Sequence, residues 1–282
     1  MLSDWLFTSA VGVYTLAALL SAVEYVLGRY SGATLGPRFG RMGVAATVFG
    51  AALHLISLVL RGFAAGRAPW GNMYEYMSAV GLVAVCAWLY VLRRHPVRRV
   101  AVFVLMPIAL LLFLAGNYLY TEVAPLQPSL RSYWIVIHVA AAIMASGVFV
   151  VSGVASALHL ASERKALVPA SPARPRLPEP EFLDRLAYRS GVFGFLTITF
   201  AIVTGAIWAE SAWGRYWGWD PKETAAFVTW VCYAAYLHAR ATSGWRARRA
   251  AWLNIAGLVI VLFNLFFVNL VVAGLHSYAG VN

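Results

Sequence analysis

WIVIHVAAAIMASGVFVVSGVASALHL, residues 134–160, decides the fold. Its 27 residues contain no Asp, Glu, Lys or Arg. About 20 consecutive apolar residues suffice for a helix to cross the hydrocarbon core of a bilayer. Read as a helix, this stretch spans a membrane with residues to spare, and it carries a histidine near each end, His138 and His159.

Working outward, the same pattern recurs. The chain is 61% hydrophobic and 12% charged over 282 residues, whereas soluble domains carry about 25% charged residues. Eight spans are predicted, at about 5–28, 43–60, 75–92, 98–115, 134–160, 190–210, 221–239 and 252–275. The expected fold is an all-α polytopic membrane protein. No cleavable signal peptide is expected, because the first apolar block starts at once and runs long. Loops after the odd-numbered spans hold 17 Lys/Arg, and the opposite loops hold five: Arg61, Arg67, Arg131, Arg215 and Lys222. Basic loops stay cytoplasmic. Both termini, and the segment between spans 6 and 7, are therefore predicted on the outer face. This bias accounts for the net charge of +11, so no nucleic-acid partner is implied.

The connector at 161–189 holds Pro169, Pro172, Pro175, Pro178 and Pro180 and reads as an extended cytoplasmic linker. No soluble domain flanks it and no internal repeat is evident, so residues 1–282 read as one membrane domain. Cys86 and Cys232 stand alone within spans, without CxxC or CxxCH spacing, and read as small buried apolar residues.

Between spans 6 and 7 lies WGRYWGWDPKE, residues 213–223. Asp220, Pro221 and Glu223 suit the N-cap, first and third positions of a helix, so span 7 starts inside this stretch. Asn72 and Glu75 have the same spacing and open span 3. The tryptophans precede the Asp220 cap, and Gly214 and Gly218 disfavour a rigid helix there.

Ionisable residues inside spans point to function. His138 and His276 fall at the outer ends of spans 5 and 8, level with the tryptophans. His159 and His238 fall at the inner ends of spans 5 and 7. His54 lies within span 2, and His95 sits in an arginine-rich loop. Two histidines beside an aromatic shelf suggest haem with two imidazole ligands. Indoles would exclude water around the porphyrin, and Arg131, Arg215 or Lys222 would meet its propionates. Interface anchoring also explains tryptophans, and structural hydrogen bonding also explains histidines.

WGRYWGWDPKE resembles the "WWD" signature of the haem-handling superfamily. TAAFVTWVCYAAYLHAR, SYWIVIH, HLISLVLRGFAAGRAPWGNMYEYM and GLHSY are similar to the CcsA/ResC family (labelled CcsB in some bacteria) of system II cytochrome c biogenesis. The resemblance runs from His54 to Tyr278. It implies a subunit of a holocytochrome c synthase, or haem lyase, in the bacterial cytoplasmic membrane. With a ResB/Ccs1-type partner, and indirectly a thiol reductant protein, such a chain relays or exports haem b and presents it for thioether attachment to the CxxCH of apocytochrome c. Carried over by residue, it implies His138 and His276 as the outer haem ligands, His238 as an inner haem ligand, and Trp213, Trp217, Trp219 and Asp220 as the signature core. The second inner ligand is expected from the partner, with His159 and His54 as local alternatives. Asn72, Tyr74 and Glu75 also resemble a family motif.

Three other readings compete. A b-type cytochrome passing electrons would use stacked histidine pairs. His138 and His159 lie 21 residues apart on one span, roughly 31 Å along a helix, which allows two sites. A solute transporter would show interrupted helices with polar groups at midplane. The CcmC or CcmF proteins of system I share the superfamily, but the eight spans and the YLHAR and GLHSY contexts favour CcsA/ResC.

Overall fold

The structure is a computed structural model, and it describes residues 2–27, 35–124, 128–166, 177–242, 244–245 and 248–276. Eight helices account for most of these: α1 (Leu2–Leu27), α2 (Gly36–Ala65), α3 (Met73–Arg94), α4 (Ala101–Tyr118), α5 (Tyr133–Ala166), α6 (Pro180–Trp213), α7 (Pro221–Thr242) and α8 (Arg248–Phe263). A π-turn at Asn264–Val268 and a last helical turn at Asn269–Val271 extend α8.

Seven of the eight are long and apolar enough to cross a membrane. The exception is α7, whose 22 residues include threonines, tyrosines and His238. The eight predicted spans thus correspond to eight helices, one of which falls short of a span in apolar character. Large apolar side chains face outward along the others, among them Leu110, Leu196, Val203 and Val259. Cys86 joins them: it is exposed, and Cys232 is half-buried. The expectation that both cysteines are buried is corrected, because apolar residues here are needed on the surface as much as in the core.

Helix covers both ends of the predicted linker at 161–189, since α5 continues to Ala166 and α6 begins at Pro180. Residues 167–176 lie outside the described set.

The helices pack as two groups of four. In the first, α1 lies against α2 and α4, and α3 lies against α2 and α4; in the second, α5 lies against α6 and α8, and α7 lies against α6 and α8. The main seam between the groups is α3 on α5. Small residues let α2 approach α1 closely. A Cβ on Gly50 would stand 2.9 Å from the Tyr14 ring.

His54 sits at this contact, fully buried. Its Nε2 pairs with Ser78 Oγ at 2.8 Å, and its Nδ1 lies 3.5 Å from the Tyr14 hydroxyl. The structure makes it a bridge between α1, α2 and α3.

Opposite ends of the bundle differ in charge. One end gathers Arg93, Arg94, Arg98, Arg99, Arg240, Arg248 and Arg249. There Arg98 pairs with buried Glu24 at 2.8 Å, tying the α4 approach to α1. Arg240 forms two bonds to Asp184, tying α7 to α6. His95 caps the end of α3 and packs edgewise on Phe182 at 4.6 Å, so it is half-buried although its loop is rich in arginine. The other end is made by the starts of α3, α5 and α7 and the finishes of α6 and α8, and it holds the candidate site.

Candidate functional site

The site is assembled around the stretch between α6 and α7. Gly214 ends α6 in the left-handed conformation at φ 70°, and its N–H bonds to Glu210 O at 2.8 Å. The chain turns again at Trp219, φ 57°. Asp220 then caps α7. Its Oδ1 accepts the Lys222 N–H at 3.0 Å. Glu223 reaches back to accept the N–H groups of Gly218 at 2.9 Å and Asp220 at 3.1 Å. Asp220 thus caps through the second amide of the helix and Glu223 at the third position bonds back, in the N-cap and third-position roles predicted from the sequence.

Asp220 has a second role. Its Oδ2 accepts the Leu275 N–H at 2.7 Å, and its Oδ1 accepts from His276 Nδ1 at 2.8 Å. One carboxylate therefore fastens the segment after α8 to the start of α7. Burial pushes the Asp220 carboxyl up, but the His276, Lys222 and Leu275 contacts outweigh it and hold it at about 2. Burial lowers the His276 imidazole, against the pull of Asp220. The pair is therefore a carboxylate and a neutral imidazole with its proton on Nδ1, which leaves the Nε2 lone pair available.

His138 reaches the same condition by a different route. Its Nδ1 lies 2.7 Å from Ala201 O on α6. A carbonyl only accepts, so the proton is on Nδ1 and the lone pair on Nε2. Gly205 makes room for this ring, since a Cβ there would stand 2.5 Å from His138 Nδ1. Among the described residues, the hydrogen bonds of both rings are made through Nδ1.

Trp208, which the sequence reading missed, joins the two histidines. It lies parallel to His138 at 10° with centroids 6.2 Å apart, and 5.7 Å from His276. Trp213 packs edgewise on both His276 at 4.9 Å and Trp208 at 4.7 Å, completing a triangle of rings. Trp208 belongs to the face of α6 that carries Ala201 and Gly205. Its helical spacing to those two small residues was the available signal.

Two cavities open here, with about 850 and 870 Å³ of non-protein space including their mouths. They share Tyr76, His138, Ala142, Trp208, Lys222 and His276. The histidines thus stand where the two lobes meet. The first lobe adds Tyr216, Trp217 and Glu223 to its wall, and Phe149, stacked on Tyr233 at 3.8 Å, forms its floor. The second adds Arg67, Trp70 and Asn72.

The remaining candidates are placed as follows. Trp217 lines the first lobe, whereas Trp219 is 65% exposed and packs edgewise on Trp217 and Phe227. Trp213 and Asp220 act behind His276. Lys222 lines both lobes and donates to Asn269 Oδ1. Arg131 and Arg215 line neither lobe; Arg215 lies over Gly218, where a Cβ would meet its guanidinium. His54 is likewise absent from both walls, which corrects its placement as a candidate inward-facing ligand: its ring is spent on hydroxyls. His238 is exposed on α7. His159 is buried, with Nδ1 bonded to Pro180 O and Nε2 3.4 Å from Glu163. Of the motif at the start of α3, Asn72 caps Glu75 N at 2.9 Å. Tyr74 is buried against Phe7 and Arg61, and the residue that faces the cavity is Tyr76.

Chemically, two imidazoles with available lone pairs share one apolar chamber. Among the described residues, no cluster of three His, Cys, Asp or Glu is placed to hold a bare metal ion. A metal that brings its own equatorial ligands suits this donor set, and a porphyrin iron is such a metal.

Comparison with known proteins gives the family. Residues 70–276 match the family model described as cytochrome C assembly protein. The chain is 36% identical to a cytochrome c biogenesis protein CcsA of Prochlorococcus marinus (strain NATL1A) over 255 residues, covering 78% of this chain and 79% of that one. It is 33% identical to the CcsA of Synechococcus sp. (strain RCC307) over 300 residues, covering 95% and 94%. In fold it is similar to the solved cytochrome c heme lyase CcmF, with a TM-score of 0.65 at 17% identity. That match covers 95% of this chain but 46% of the CcmF chain, so this chain spans about half its length. With the family model matching most of its length and CcsA homologues along nearly all of it, this chain belongs to the cytochrome c assembly protein family.

Proposed function

We propose that this chain holds haem b on His138 and His276 and presents it to apocytochrome c, as the haem-handling subunit of a system II holocytochrome c synthase. The observation that carries the reading is the matched state of the two rings. Each is anchored through Nδ1, each keeps a lone pair on Nε2, and both stand at the junction of the same two lobes. Haem is the substrate, and its vinyl groups are the positions that the CxxCH thiols join.

The residues divide the work. His138 and His276 would hold the haem iron through their Nε2 lone pairs, and two imidazoles so bound would keep oxygen off it. Asp220 orients His276 from behind, as acidic partners of metal-bound histidines do. Trp208 and Trp217 line the chamber and keep water away. Tyr216, 62% exposed at the mouth of the first lobe, marks the side open to an incoming peptide.

The arginine-rich end lies in the cytoplasm on this reading, which puts the site on the outer face of a bacterial cytoplasmic membrane. His238 supports a second, inner station completed by a ResB-type partner, because it is exposed on α7. Aromatic rings continue from the tryptophan segment down that helix, with Trp219 against Phe227 and Phe227 stacked on Trp230 at 10°. Phe227 and His238 are 11 residues apart, about three helical turns, and so share a face. Haem moving between stations would follow this face, since the Phe149–Tyr233 stack floors the chamber. His159, covered by the start of α6, is poorly placed as the second haem site that a b-type electron carrier would need.

The test is co-expression with a ResB-type partner and a CxxCH reporter. Covalent haem on the reporter should require both membrane subunits. Undiminished attachment when His138→Ala and His276→Ala are combined overturns the proposal.

A further inference from the structure

The two lobes differ in charge, and the difference gives a flat ligand a direction. The second lobe has two cationic side chains in its wall, Arg67 and Lys222, and no carboxylate. The first lobe has Lys222 together with Glu223.

Arg67 is held rigidly. Its guanidinium donates to Glu75 at 2.7 and 3.3 Å and to Ala68 O at 3.0 Å. Glu75 is fully buried and divides its charge with Arg61, whose Nε donates at 2.8 Å. Two guanidinium groups thus share this carboxylate, and Arg61 has Asp4 3.6 Å away as a second anion, so Arg67 stands out for donor capacity left over. Its Nε has no partner among the described residues. Lys222 rests on a neutral acceptor, Asn269 Oδ1, and near the Tyr76 ring at 5.8 Å. It has no ion-pair partner among the described residues, because Asp220 is committed to His276 and the Leu275 amide. A cation with no ion-pair partner and a guanidinium with a spare N–H, in a largely apolar chamber, attract a dianion.

Resting on the haem reading above, we propose that Arg67, with Lys222, is the carboxylate clamp of the chamber. The haem propionates go into the Arg67 lobe, and the opposite, vinyl-bearing edge goes into the lobe walled by Trp217 and Tyr216. Haem carries its carboxylates on one edge only, so the charge difference selects one docking direction. That direction leaves the reactive edge beside the exposed Tyr216. Arg67 is a positioning residue and makes no contact with the reacting carbons. The sequence reading assigned this role to Arg131, Arg215 or Lys222, and of these only Lys222 lines a lobe.

The experiment titrates the full chain in nanodiscs with ferric haem and, separately, with ferric haem dimethyl ester, following the Soret band. The unmodified protein should prefer haem by about tenfold or more, the size of a charge-assisted contact. Arg67→Gln should lower haem affinity toward that of the diester and leave diester affinity unchanged. Arg67→Lys should recover part of the preference. Retained diester binding shows that Arg67→Gln has kept its chamber. Equal affinity of the unmodified protein for haem and diester overturns the clamp, as does an equal loss of both in Arg67→Gln. Binding of neither form by the unmodified protein overturns the haem reading itself, and the clamp with it.

Discussion

The histidines at the two ends of the bundle are chemically alike and structurally opposite. At the tryptophan end, His138 and His276 are each tied through Nδ1 and turn Nε2 toward a shared chamber. At the arginine end, His159 is tied through Nδ1 as well, but its Nε2 faces Glu163 and α6 covers it. His238 is exposed on α7. A fixed ring alone does not make a ligand. What separates the pairs is a shared chamber: His138 and His276 line the same two lobes, whereas His159 is covered and His238 stands on the surface of its helix.

The largest expected effect breaks the comparison outright. His138→Ala or His276→Ala should abolish the six-coordinate haem spectrum of the purified chain, and added imidazole should restore part of it. Next, Asp220→Asn keeps a side chain that caps α7 but withdraws the charge behind His276. Loss of such a partner costs about 10–100-fold in metal affinity, so haem affinity by optical titration should fall within that range while helix content by circular dichroism is kept. A smaller effect is expected from Gly205→Ala, whose Cβ would press on His138 Nδ1. At 2.5 Å the two atoms cannot coexist, so the ring must move aside, and haem affinity should fall several-fold, about 1 kcal/mol, with a change in the low-spin electron paramagnetic resonance signal. At the other end, His159→Gln should leave the haem titration of the isolated chain unchanged. A loss there equal to that of His138→Ala would erase the distinction between the two ends.

Much of the fold was legible in the sequence because membrane spans are long and their apolar content is not periodic. α5 was predicted over 134–160 and extends over Tyr133–Ala166. Caps were legible too, since Asp220 and Glu223 act within four residues of one another. Long-range choices were not. Tyr74 and Tyr76 are both close to Asn72, and two residues on a helix turn the side chain by about 200°. Only the packing of α3 on α5 decides that Tyr76 reaches the chamber. Trp208 looked like one more apolar residue of span 6, and its part is visible only once α5 brings His138 beside it. Arg67 lies in a connecting turn with no local pattern, and its proposed role rests on the lobe it lines and on the Glu75 carboxylate that fixes its guanidinium. His54 was unusual in sequence for the same reason as His138, being an imidazole in an apolar helix, and only the hydroxyls of Ser78 and Tyr14 separate their roles.

The Asp220 latch also bears on timing. A ribosome completes His138 and Trp208 long before His276, so the emerging chain has one imidazole in place and no second. The missing ring is secured only when the stretch after α8 folds back onto a carboxylate that has so far capped α7 alone. On the proposed reading, the two-imidazole grip therefore forms only after α8 has been made and the stretch behind it has docked on Asp220.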